Sequence, residues 1–193
     1  MRTINKLNTL FIIMAAIAMV IGCSSSGGNQ QAEANKIVDQ ANKKLDETKE
    51  LYSKTETRNS TLFSANIQTV PQLVYYKSRM AGEAKSIVTD YEKVSDNLKD
   101  IAKQYDDISR VNVDDKYKEY AKLKSDEFAK RSEAVNIRKG NAQAFAEISD
   151  PRILVTKFQE NNTKSDSLFK DAEDIASKAK KIEEENKEIF KQA

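Results

Sequence analysis

Three stretches of the chain repeat small or apolar residues at alternating intervals of four and three. That rhythm constrains the fold more than any other feature. The first stretch runs Ala34, Val38, Ala41, Leu45, Thr48, Tyr52, Thr55, Asn59, Leu62. The second runs Leu73, Met80, Ala84, Ile87, Tyr91, Val94, Leu98, Ile101, Tyr105, Ile108, with Lys77 in one slot. The last runs Leu154, Phe158, Asn161, Ser165, Leu168, Ala172, Ile175, Ala179, Ile182, Asn186, Ile189. A period of about 3.5 residues held over several heptads marks the seam of helices packed as in coiled coils. Five Gly and two Pro in 193 residues leave little to build the turns of a β fold. The expectation is an all-α chain.

A weaker stripe lies between the second and last. Tyr117, Ala121, Phe128, Val135, Ala142 and Phe145 define it, and Lys124, Arg131 and Arg138 occupy the same stripe. Long basic side chains can lay their methylenes on apolar surface and lift the charge to water. This third helix is therefore predicted to be the most exposed, with its three cations along an open edge. The breaks carry their own chemistry. Thr69 and Gln72 are spaced as a capping box around Pro71, which the first helical turn tolerates. Asp114 is a candidate N-cap, and Asp150-Pro151 reads as a cap followed by proline at the first helical position. The helices are placed at about 32–67, 71–109, 114–148 and 151–191. Short connections make neighbours antiparallel, giving an up-down-up-down four-helix bundle with coiled-coil-like packing, about 50–60 Å long. In the competing architecture Pro71 or Pro151 only kinks a longer helix, and the chain is a rod or an oligomer.

The chain opens with a different kind of segment. Arg2 and Lys6 precede the apolar run Leu10 to Ile21, 12 residues in length. A membrane-spanning helix needs about 20. The run ends in Val20-Ile21-Gly22-Cys23, and Cys23 is the only cysteine. This arrangement resembles the lipobox of bacterial lipoproteins: a basic start, a short apolar core, a small residue, then cysteine. Val20 and Ile21 depart from the commoner Leu and Ala or Ser. The resemblance covers the leader alone. It implies removal of residues 1–22 as a signal peptide and acylation of Cys23, with palmitate or a similar chain. Residues 23–31, Ser- and Gly-rich, are expected to form a flexible tether, and 32–193 the helical domain. Ser24 after the cysteine is similar to the outer-membrane sorting pattern, where the cell has an outer membrane.

Removing the leader changes the charge argument. The net charge is +2, and Arg2 and Lys6 supply all of it, so the chain from Cys23 onward is formally neutral. A neutral surface gives no electrostatic warrant for binding nucleic acid. The chain has no His, which removes the commonest general base and metal ligand. There is no phosphate-cradling glycine loop and no nucleophile paired with a base. A non-enzyme without metal or cofactor is expected.

Three constellations are candidates for something more. Asp106, Asp107, Asn112, Asp114 and Asp115 surround the second connection, but lack calcium-loop spacing, so capping and solubility account for them. Gly82 and Gly140 are expected on outward faces. In an up-down bundle Asn59, Arg138 and Asn161 share one level, with Thr55, Arg131 and Ser165 near the next. Such a layer fixes helix register or holds a small anion. The function expected is that of a lipid-anchored cell-envelope protein. It would be held to the membrane by acyl chains on Cys23 and would engage an envelope protein partner through helical surfaces. The alternatives are a ligand-binding helical bundle and a surface lipoprotein contacting host or neighbouring cells.

Overall fold

A computed structural model describes residues 28–191, and the leader with Cys23 lies outside them. The described residues form four long helices and a short fifth: α1 (Gly28–Leu62), α2 (Val70–Ile108), α3 (Asp115–Glu147), α4 (Pro151–Glu185) and α5 (Lys187–Lys191). Strands are absent among the described residues. The four long helices pack against each other as an all-α bundle, antiparallel from each to the next.

The ends are set by local chemistry. Thr69 accepts from the Gln72 amide at 3.4 Å, and the Gln72 side chain accepts from the Thr69 amide at 3.2 Å, closing the capping box. Asp114 accepts from the Lys116 amide at 2.7 Å, and Asp150 from the Arg152 amide at 2.8 Å. Pro71 and Pro151 both sit in first turns. Each starts a helix, and neither kinks a longer one.

Three boundaries differ from the sequence reading. The first helix begins at Gly28, inside the segment expected to be tether. It ends at Leu62 rather than near 67, because Phe63 turns inward to stack on Phe158 at 4.0 Å between ring centroids. The last helix breaks at Asn186 (φ −126°, ψ 38°), whose side-chain amide donates to the Ile182 carbonyl at 2.8 Å. The break lets Phe190 of α5 fold onto Tyr117 and Tyr120, 5.1 and 5.0 Å away.

The stripes are the core. Every position of the α1 stripe is buried, and Ile87, Tyr91, Val94, Leu98 and Ile101 of α2 have no exposed surface. Burying each large apolar side chain is worth about 1.5–3 kcal/mol. The expectation for α3 fails. It is the central helix, packed on both α2 and α4, and sixteen of its 33 residues are buried, against seven of 35 on α4. A helix gripped on several sides buries polar residues too, and this erases the one-sided pattern by which sequence finds a core face. The long helix with the fewest buried residues is α4. Half of its stripe, including Leu168 and Ile175, is only partly covered, while Phe169 beside the stripe is buried. Large rings span the α1–α4 gap: Tyr52 meets Phe169 edge-on at 5.8 Å, and Phe63 stacks on Phe158.

Candidate functional site

The three cations expected along an open edge are inside. Lys124 is 7% exposed, Arg131 6% and Arg138 4%. Burying a charge without a partner costs several kcal/mol, so each must be compensated. The compensating acids are Glu56 and Glu127, which lie beside the stripes rather than on them. Both are buried, Glu127 completely.

Arg138 stands in the upper layer, and all four long helices contribute to it. Its Nε donates to Ser165 Oγ at 3.1 Å, Nη1 to Asn162 Oδ1, and Nη2 to Asp166 Oδ1 at 2.5 Å. Glu56 from α1 lies 3.9 Å from Nε. The Tyr91 hydroxyl of α2 donates to Glu56 at 2.6 Å. The Ser165 hydroxyl in turn donates to the Ala134 carbonyl at 3.0 Å. Burial, with Glu56 beside them, pushes the Tyr52 and Tyr91 hydroxyls well above their usual range, so both remain neutral donors. Burial opposes the Arg138 charge, but Glu56, Tyr52 and Asp166 outweigh it and hold the guanidinium charged. Each of the three guanidinium nitrogens thus donates to a side chain of the protein itself.

The lower layer is built within one helix. Glu127 accepts from Lys124 at 2.6 Å and from Arg131 at 2.8 Å, three residues behind and four ahead. The Lys124 ammonium also lies over the rings of Phe128 and Tyr105, at 4.8 and 5.9 Å. Ser132 of α3, next to Arg131, shares a hydrogen bond at 2.9 Å with Ser95 of α2, tying the two helices. Burial holds the Glu183 carboxyl of α4 above the usual carboxylate range, and Lys124 opposes that shift.

The residues grouped by sequence are therefore divided. Arg138 and Ser165 are brought together, while Arg131 belongs to the Glu127 layer. Asn59 and Asn161 are buried, but the side chain that meets Arg138 is the neighbouring Asn162. Asn162 also accepts from Asn141 Nδ2 at 2.9 Å. Gly140 does not face outward as expected, because a Cβ there would meet the Asn161 amide nitrogen at 3.2 Å; Gly82 does face open space. In the acidic connection Asp106 pairs with Arg110 at 2.9 Å and Asp114 caps α3.

Sequence reasoning missed Glu56 and Glu127. For Glu127 a signal existed: it is spaced three and four residues from two cations of the stripe. For Glu56 there was none, since its partners come from other helices.

Two shallow grooves flank the C-terminal half of α3. One, between α2 and α3, has a volume of about 380 Å³ over Ala81, Ala84, Val88, Ala142 and Phe145. The other, of about 540 Å³, runs beside Gly140, Ile148 and Asn161. Among the described residues no cluster of potential metal ligands forms, and no helix is long and apolar enough to cross a membrane. No family model matches the chain, and neither a curated protein nor a solved structure does.

Proposed function

We propose that the chain is an exported, lipid-anchored protein of a bacterial cell envelope, acting as an interaction module through its helical surfaces. The observation that carries this reading is Cys23, the only cysteine, placed after a basic start, a 12-residue apolar run and Gly22. Only four residues separate Cys23 from the start of α1, so acyl chains on Cys23 would keep the bundle close to the anchoring surface. The interior supports a module that works by its surface rather than by an internal ligand. Its buried cations are bonded to the protein's own carboxylates, amides and hydroxyls. The partners are the membrane, through the acyl chains, and an envelope component met by the exposed helix faces.

The test replaces Cys23 by Ala and follows precursor size and membrane fractionation in a bacterial host. Loss of processing and release from the acylated membrane fraction are expected. A mature product that stays membrane-bound as before would overturn the anchor.

A further inference from the structure

Among the described residues, large apolar side chains that remain exposed are confined to one end of the bundle. Val70, Val74 and Tyr75 lie in the first turns of α2, and Ile153 and Val155 in the first two turns of α4; each is 48–64% exposed. Contacts fix these two helix starts at the same level. Phe63 stacks on Phe158 of α4, Tyr76 of α2 packs on Phe145 of α3 at 5.8 Å, and Lys77 of α2 donates to the Ile148 carbonyl at 2.6 Å. The end lies opposite the start of α1, whose 35 residues span about 50 Å.

Charge is segregated along the same axis. Residues 63–79 and 147–157 hold Lys77, Arg79, Arg152 and Lys157 against two acids, Glu147 at the end of α3 and Asp150, which caps α4. The Arg79 guanidinium lies 5.9 Å from the Tyr75 ring, and the Arg152 side chain is 93% exposed. At the other end residues 106–115 hold Asp106, Asp107, Asp114 and Asp115 against Arg110. Residues 183–188 there hold Glu183, Glu184, Glu185 and Glu188 against Lys187. A basic, apolar and aromatic tip thus faces away from an acidic base.

We propose that this tip docks on an anionic lipid surface. Apolar side chains enter the boundary between headgroups and acyl chains while arginine and lysine meet the lipid phosphates. A second copy fits less well. Tip against tip would juxtapose like charges, and the acidic end of another molecule offers no exposed large apolar residue among those described. The tip is also an outward end formed by two separate helix starts, suited to a penetrable plane. Its consequence for a chain anchored at Cys23, which rests on the anchor reading, is a spacer between two membranes.

The experiment uses the acylated mature chain on neutral phosphatidylcholine donor vesicles, mixed with fluorescent target vesicles. Targets in which about one lipid in three is phosphatidylglycerol should be captured, and pure phosphatidylcholine targets should not. High salt should release them. Val74→Ser with Ile153→Ser, both exposed, should lower capture about tenfold without changing the melting temperature. Equal capture of neutral and anionic targets, or no capture by donors that retain the protein on flotation, overturns the proposal. Clustering of donors without targets assigns the tip to a second copy and also overturns it. If the protein leaves the donors, the anchor reading falls. Direct co-sedimentation of the same chain with the anionic vesicles then decides the tip: binding upholds it, and no binding ends it.

Discussion

The two buried polar layers use the same kinds of residue in opposite ways. Around Glu127 the partners are three and four residues away on one helix, so the geometry exists wherever α3 is helical. Around Arg138 the partners come from α1 and α4, with Tyr91 of α2 reaching Glu56, and the layer exists only once all four helices have met. The lower layer neutralises charge that its own helix brings into the core. The upper layer also fixes the relative heights of the helices, since a slip of one turn would carry Ser165 and Asp166 away from the guanidinium.

Breaking the lower layer should have the largest effect. Glu127→Leu leaves Lys124 and Arg131 buried without their carboxylate, and should cost about 3–5 kcal/mol in urea unfolding. Replacing all three together, by Lys124→Met, Glu127→Leu and Arg131→Met, should recover most of that, because a matched apolar set removes the unpaired charge. A single substitution that costs less than about 1 kcal/mol would show that the cations reach water instead.

The upper layer should respond less, and differently. Arg138→Leu strands Glu56 but leaves it the Tyr91 hydroxyl, and Asp166 is largely exposed already, so a loss of about 2–3 kcal/mol is expected. Arg138→Lys keeps the charge but cannot serve Ser165, Asn162 and Asp166 together, and should restore only part of the stability. Full restoration by lysine would mean that charge alone matters and that register is set elsewhere.

The smallest effect is a pH dependence beside Lys124. The carboxyl of Glu183 has a raised pKa, so between its ordinary value of 4.5 and the raised one the folded chain binds more protons than the unfolded chain. Stability from this group is therefore present at low pH and declines as pH rises through that window. Glu183→Gln should melt slightly higher than the parent at neutral pH, with the difference closing toward pH 4.5. A difference that instead widens on acidification would reverse the assigned sign.

Much of the architecture could be read from the chain. Stripes such as Tyr91, Val94, Leu98 and Ile101 identify a core face because a helix repeats in space every three or four residues, whatever it packs against. Caps at Thr69, Asp114 and Asp150 are equally local. Burial of Lys124, Arg131 and Arg138 is not legible in the sequence, because snorkelling and full burial place the same residues at the same spacing. Deciding between them requires knowing how many neighbours a helix has, and that is a property of the assembled bundle. Asn162 illustrates the same point: it lies one residue from a stripe position, and only the arrival of Arg138 gives it a role.

The bond from Lys77 to the end of α3 also bears on how the molecule moves. Its ammonium donates to the carbonyls of Ala146 and Ile148, at 3.2 and 2.6 Å, in a last turn that holds no basic residue of its own. A cation supplied from α2 thereby satisfies carbonyls that a helix end leaves open. The start of α2 and the reversal into α4 then have a shared reason to stay closed, and should open as one unit. Amide hydrogens of residues 72–78 and 152–156 should exchange with matched protection, and Lys77→Ala should lower both together.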